Sequence, residues 1–469
     1  MLAVDFLVLG AGPCGLGAAR QLERCGVDSW LLVDGAPRAG GLASSFVDSQ
    51  GFTWDVGGHV QFSHYDYFDG AMDEFLGVDG WNHHQRESWV WMRDRFIPYP
   101  FQNNLHRLPD ADRDRCVQGL VSAAGTTKSP RDFLEWIRGT FGSGIADVFM
   151  EPYNEKVWAY PLDQLSTGWM GERVAVPDVH RVLTNVRDGR DDVSWGPNNT
   201  FRFPKEGGTG AIWRACADRL PGDRLRLGDY VVSLDVGARQ VSLASGLDIS
   251  YQHLISTMPL RELISLGNLQ QFDEVARRGL LSSSSNIIGI GLRGQPPEEL
   301  RTKCWLYFPE PEVPFYRVTV FSNYAESNVP TPGETWSLMC EVAESSHRPV
   351  DQGRLLDEVV GAVLATGFVS SPADVVSTWS YRAPYGYPTP GVHRDAALEA
   401  IIPALEQLNI YSRGRFGMWK YEVSNQDHSF MQGVEVVERL VNGRQEITAF
   451  DPDHANAQRH PWPYERWGE

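Results

Sequence analysis

Cysteine is scarce and scattered in this chain. The six cysteines (Cys14, Cys25, Cys116, Cys216, Cys304, Cys340) never form a Cys-x-x-Cys pair. That argues against a zinc site or a disulfide framework and for reduced thiols in a cytoplasm, so no metal is expected. No uninterrupted apolar run reaches the roughly 18 residues that a bilayer span requires. The chain enters a strand, Phe6-Leu7-Val8-Leu9, with no basic segment before it, so no secretory signal is expected. Positive charge is also in deficit: 42 Lys and Arg face 60 Asp and Glu, a net charge of −18. Such a field repels nucleic acid and anionic membranes, and neither is expected as a partner. An anionic small molecule could still bind, but only through a few locally placed arginines. Internal repeats and low-complexity tracts are absent. A composition of 42% hydrophobic and 22% charged residues is that of a soluble globular protein, and 469 residues suggest two or three domains.

What is present begins at residue 8 with "VLGAGPCGLGAARQLE". Residues 6–9 read as a buried strand, 15–25 as a helix ending near Gly26, and 29–33 as a second strand closed by Asp34. In this βαβ start Gly10 makes the tight turn and Gly12 admits a pyrophosphate. Gly15 lets helix and strand pack closely, and Asp34 can accept from ribose hydroxyls. Two further glycine pairs, in Arg38-Ala39-Gly40-Gly41 and in "FTWDVGGHVQFSH", place backbone against a large flat group. FAD fits better than NAD, and no second Gly-x-Gly-x-x-Gly unit offers a nicotinamide domain.

Farther along, "HLISTMP" reads as a strand returning to the nucleotide half. "RGRFGMWKYEVSNQDHSFMQGVEVV" reads as a turn leading into a helix whose N-terminus could face the flavin. Residues 105–190 are mostly helical, and 285–390 hold aromatic-rich alternating strands. The expected fold is mixed α/β: a Rossmann-like FAD-binding domain with an inserted helical bundle domain and an antiparallel β-sheet domain. The expected boundaries are 1–85, 205–270 and 405–445 for the FAD-binding part and 105–190 for the helical part. Residues 86–104, 191–204 and 271–404 go to the sheet domain, and 446–469 to a C-terminal tail.

Blocks spread over most of residues 5–445 then carry a resemblance. "GGLASSF", "DVGGHVQFSHYDYFD", "IPYPFQNN", "FMEPYNEKVWAYP", "GERVAVPD", "WGPNNTFRFP", "CWLYFPE", "PFYRVTVFSNY", "YGYPTP" and "GRFGMWKYEVSNQDHSF" resemble the eukaryotic type of UDP-galactopyranose mutase. The resemblance implies a mutase that interconverts pyranose and furanose forms of a nucleotide sugar with no net redox change. It implies FAD that is active in its reduced form, with N5 attacking the anomeric carbon. NADPH or another reductant would activate it. A homo-oligomer is left open.

The resemblance also assigns residues. Arg173 and Arg317 would neutralise the leaving diphosphate, and His59 would sit beside the flavin. Tyr307, Tyr387 and Tyr421 would bind phosphate. Tyr99, Phe101, Gln102, Phe149, Asn154 and Trp158 would hold the base. Arg86, Asn198, Trp305 and Tyr324 would line the sugar and flavin pocket. Cofactor contacts would come from Gly10, Gly12, Gly15, Asp34, Arg38, Gly41, Gly57, Gly58, Ser88, Arg415, Asn425, Gln426 and Ser429. Arg173 is expected on a mobile loop that shuts out water. Gln61 and Ser424 depart from the family pattern, and nothing after about residue 445 resembles it.

Three alternatives stay open at this point. The same chemistry could serve a GDP-hexose such as a GDP-L-galactose or GDP-fucose type. The chain could be an amine-oxidase-type flavin oxidase, or a non-enzymatic binding protein on the same scaffold.

Overall fold

The structure is a computed structural model that describes residues 2–125, 129–193 and 199–464. Its first sheet grows from the sequence's opening βαβ unit. The strand Leu2–Leu9 runs parallel to Trp30–Asp34 on one side and to Asp248–Ser256 on the other. The "HLISTMP" segment thus returns to the first sheet, beside the opening strand. Leu225–Leu227 extends the sheet beyond Trp30–Asp34, also in parallel. On the far side, Asp248–Ser256 pairs with Gln240–Leu243 through its first residues and with Ile410–Ser412 through its last. The short hydrophobic run Leu7-Val8-Leu9 is buried on both faces, as a central parallel strand must be.

The helix Pro13–Arg24 starts with Gly12 as its cap and proline in its first turn, where the missing N–H costs nothing. It packs against the helix Gln426–Asn442 at very short range. A Cβ on Gly17 would lie 2.4 Å from the Phe430 carbonyl oxygen, and one on Gly433 would lie 2.0 Å from that of Cys14. Two glycines therefore let the backbones touch, which delivers the N-terminus of Gln426–Asn442 beside the Gly10–Gly15 turn.

The second sheet has the strand order Val375–Thr389, Leu281–Arg293, Thr335–Glu344, Arg317–Val320, Trp305–Tyr307, Ser88–Met92 and Arg95–Pro98. It is antiparallel except at one pairing: Trp305–Tyr307 runs parallel to Ser88–Met92, so the sheet expected to be antiparallel is mixed. Residues 285–390 are also not all strand. The helix Leu355–Ala365 interrupts them and covers the outer face with Leu355, Val359 and Val363. Those residues recur every four positions, the spacing of a helical stripe.

The helical part comprises Asp110–Ala123, Phe133–Ile145, Ala146–Met150, Glu151–Trp158 and Val179–Asp188. The strand Thr200–Pro204 does not join the second sheet but forms its own ribbon with Trp81–Gln85. Residues 446–464 pack back onto the first domain. Glu435, inside the helix Gln426–Asn442, accepts from the amides of Ile447 and Thr448 at 2.8 Å and from the Tyr464 hydroxyl at 2.6 Å. Among the described residues no helix is long and apolar enough to cross a membrane.

Candidate active site

A cavity of about 780 Å³ opens between the two sheets. The Gly10–Gly15 turn contributes one wall. Gly10 sits at φ +104°, and a Cβ there would lie 2.2 Å from Thr257 Oγ1. A Cβ on Gly15 would lie 1.8 Å from the Gly10 carbonyl oxygen, so Gly15 stands behind the cavity wall and fixes the turn. Asp34 accepts from the Ala11 amide at 2.6 Å and from the Ala36 amide at 2.7 Å. Each oxygen keeps a lone pair for a hydroxyl.

Gly41, Gly57, Gly58 and His59 line the next stretch of wall. Burial pushes the His59 imidazole down to about 4, with Arg415 and Arg317 adding to the shift and Glu341 opposing it. It is therefore a neutral ring at ordinary pH. The N-terminus of Gln426–Asn442 closes this end with Asn425, Gln426 and Ser429.

The opposite wall carries charge. Arg317 lies on its strand directly opposite Glu341. Their side chains join at 2.7 Å and 2.8 Å, while the Gly58 amide and the Tyr316 hydroxyl donate to the same carboxylate. Burial would raise the Glu341 pKa, but Arg317 outweighs it and holds the carboxyl below its usual value. Arg173 reaches the cavity from the short turn Gly171–Arg173, its guanidinium 5.5 Å from the Tyr421 ring. Arg415 donates to the Gly386 carbonyl and, at 2.8 Å, to Ser424 Oγ. Ser424, a departure from the family pattern, thus anchors an arginine. Neither Arg173 nor Arg415 has a carboxylate partner among the described residues. Net positive charge here sits inside a protein of net charge −18.

Arg86, Tyr99, Trp305, Tyr307, Tyr387 and Tyr421 also line the cavity. Other expected site residues stand back from it. Phe101 and Phe149 stack at 4.5 Å, and Phe149 on Tyr153 at 5.2 Å. Tyr153 and Tyr99 both touch Tyr307, so this aromatic file runs from the wall into the helical part. Gln102 donates to the Ala175 carbonyl, tying the file to the Arg173 segment, and Asn154 donates to Met150 O at 2.7 Å. Trp158 is buried against Trp169 and Tyr421. Tyr324 lies in the core with Phe201 and Phe203 behind Trp305. Ser88 is buried in register with Trp305. Arg38 is exposed, over the Phe46 ring at 4.7 Å. Asn198 lies outside the described residues.

Several groups were not singled out from the sequence. Glu341 is the clearest, and its signal was a lone carboxylate in the apolar run "WSLMCEV". Asp427 accepts from both the backbone amide (3.1 Å) and ring (2.9 Å) of His64, which ends the Gly57–His64 loop. His428 stacks on that ring, and the three side chains place possible ligand atoms within 4.8 Å of one another.

The wall suits a large flat polar cofactor such as FAD. The glycine cradle leaves space only for backbone on its side. Buried polar atoms on wall residues lack partners among the described residues: His59 Nδ1, both amide atoms of Gln61, Ser285 Oγ and Trp305 Nε1. Such atoms are costly unless a ligand meets them.

Residues 13–399 match the family described as flavin containing amine oxidoreductase. The chain is 47% identical to a protein described as reduced UDP-galactopyranose mutase, over 98% of this chain and 99% of that one, with a TM-score of 0.94. A fatty acid isomerase from P. acnes, described as CLA-producing, aligns at 13% identity over 93% and 98%, with a TM-score of 0.62. A putrescine oxidase aligns at 15% identity over 94% and 99%, with a TM-score of 0.60. The last two share the fold alone.

Proposed function

The chain belongs to the UDP-galactopyranose mutase family, within the flavin-containing amine oxidoreductases, and from that membership we propose that it interconverts UDP-galactopyranose and UDP-galactofuranose. The observation that carries this reading is the meeting of Arg173 and Arg317, from two distant segments, in the cavity walled by Gly57, Gly58 and His59. An oxidase has no use for two guanidiniums there, whereas a departing diphosphate needs them.

Reduced FAD, when bound, supplies a nucleophilic nitrogen for the anomeric carbon and takes no net electrons. In this reading it is held by segments 1–85, 205–270 and 405–445, through Gly10, Gly12, Asp34, Gly41, Arg415, Asn425, Gln426 and Ser429. Residues 86–104 and 271–404 supply the substrate wall, and residues 446–464 pack onto the helix Gln426–Asn442.

Each protein group then has a task. Arg317, oriented by Glu341, and Arg173 take the growing negative charge of the diphosphate. Tyr307, Tyr387 and Tyr421 donate to it without adding charge. The aromatic file with Gln102 and Asn154, in the helical segment 105–190 and the turn before it, takes the base. His59, neutral, orients the sugar-facing edge of the cofactor and cannot compete as a cation. Trp305, Arg86 and the buried side chains around them exclude water from the reacting carbon. An external reductant, NADPH in this reading, is needed once to activate the protein. All six cysteines are unpaired, which supports a reducing compartment, the cytoplasm.

The test is product analysis. Dithionite-reduced protein is given UDP-galactopyranose and, in parallel, GDP-hexoses, and the nucleotide sugars are resolved by chromatography and NMR. The furanose should form from the UDP sugar only with reduced protein. Furanose from a GDP-hexose alone would move the reading to that base. Substrate-driven flavin bleaching with peroxide release would replace it with an oxidase.

A further inference from the structure

Residues 446–464 are packed into the fold but have no task in the reaction. It is fastened at several points. The His460 amide donates to the His64 carbonyl at 2.6 Å, and the Asp66 amide donates to the His460 carbonyl at 3.0 Å. The Tyr464 hydroxyl holds Glu435, and the Asp451 side chain caps the short helix Pro452–Ala457.

Asn456 lies in that helix, and its amide nitrogen is spent on two carbonyls, Pro452 O at 2.8 Å and Glu422 O at 3.1 Å. Glu422 is itself locked in a buried fork with Arg394 at 2.7 Å and 2.9 Å. The amide oxygen of Asn456 is therefore a fixed acceptor. It receives Nη1 of Arg173 at 3.3 Å, while Nη2 of the same guanidinium is buried with no partner among the described residues. The Tyr421 ring supports the guanidinium from one side.

We infer that Asn456 is a positioning residue: the C-terminal segment holds Arg173 facing the cavity, ready for the substrate's diphosphate. This rests on the reading of Arg173 as a diphosphate ligand. The chemistry suits a handover. A neutral amide orients the guanidinium at little cost, whereas a carboxylate would form an ion pair that the diphosphate must break. Nη2 keeps its hydrogens for the incoming oxygens. The turn Gly171–Arg173 is short, so without this contact the arginine would have more rotamers to lose on binding.

The test uses FAD-loaded full-length protein and UDP as the probe. Asn456→Ala and Asn456→Asp are each made in the parent and in an Arg173→Ala background. UDP affinity is measured by calorimetry, and thermal denaturation and the flavin spectrum follow the fold. Asn456→Asp keeps both volume and acceptor, so the question stays answerable should the alanine variant fold poorly. Each substitution should weaken UDP by about tenfold in the parent, the worth of one hydrogen bond to a charged group, and hardly at all once Arg173 is gone. Equal weakening in both backgrounds, or none in the parent, would overturn the inference. Arg173→Ala alone leaving UDP affinity intact would overturn the diphosphate reading itself, and that result is visible in the single variant.

Discussion

Arg317 and Glu341 face each other across two neighbouring strands as a two-point fork, at 2.7 Å and 2.8 Å, with the Gly58 amide on the same carboxylate at 3.1 Å. One buried acid thus fixes both an arginine that lines the cavity and the backbone of the Gly57-Gly58 pair. A lysine offers a point charge in place of a planar fork. Arg317→Lys should lower kcat/KM by about 100-fold, on the scale of losing an oriented donor to developing charge. Glu341→Gln leaves a buried cation without its counter-charge and should cost about 3–5 kcal/mol of stability. Denaturation curves and steady-state kinetics check both, and an unchanged curve for Glu341→Gln would mean the fork positions nothing.

The glycine turn predicts a cofactor defect. Gly15→Ala drives a methyl group to 1.8 Å from the Gly10 carbonyl oxygen, a distance no rotamer can relieve. Helix Pro13–Arg24 must then move away from the turn. The purified variant should carry little flavin, read from its visible absorbance, and full flavin content would show that the turn tolerates the shift.

The base-binding reading makes a separable claim about Asn154. Its side chain is half-buried and, among the described residues, its one hydrogen bond goes to the carbonyl of Met150, just before its helix begins. Asn154→Ala should leave the melting temperature nearly unchanged yet raise KM for UDP-galactopyranose by about tenfold, the loss of a hydrogen bond to the base. An unaltered KM would remove Asn154 from the base site.

Acid should weaken the fold through His428. Burial pushes this histidine down to about 3, and the charges of His64, Arg173 and His460 add to the shift while Asp427 opposes it. The unfolded chain, near 6.5, then binds a proton that the folded chain refuses. Stability therefore rises with pH between about 3 and 6.5, and falls as pH drops through that window, by up to about 1.4 kcal/mol per pH unit for each such group. His59, held down to about 4, acts in the same direction. His428→Phe should flatten the dependence of melting temperature on pH by about one proton's worth. A wild-type slope in that variant would assign the titration elsewhere.

Local sequence rules settled the nucleotide half and the composition of the site. A glycine turn between a buried strand and a helix allows few alternatives, because φ above zero and near-contact backbones exclude every other residue. The motif blocks contain Arg173, Arg317, Tyr307, Tyr387, Tyr421 and His59, and the structure places these around one cavity. The helix Leu355–Ala365 is not legible in the sequence, because its four-residue stripe is embedded among strand-like aromatic runs. The tertiary structure alone decided which charges are compensated. Glu341 meets Arg317 through strand register, Asn456 in the helix Pro452–Ala457 meets Arg173, and the Gln102 amide nitrogen donates to Ala175. Those pairings join residues far apart in the chain, and no periodicity or spacing encodes them. They exist only once burial makes an unpartnered polar group too costly to leave alone.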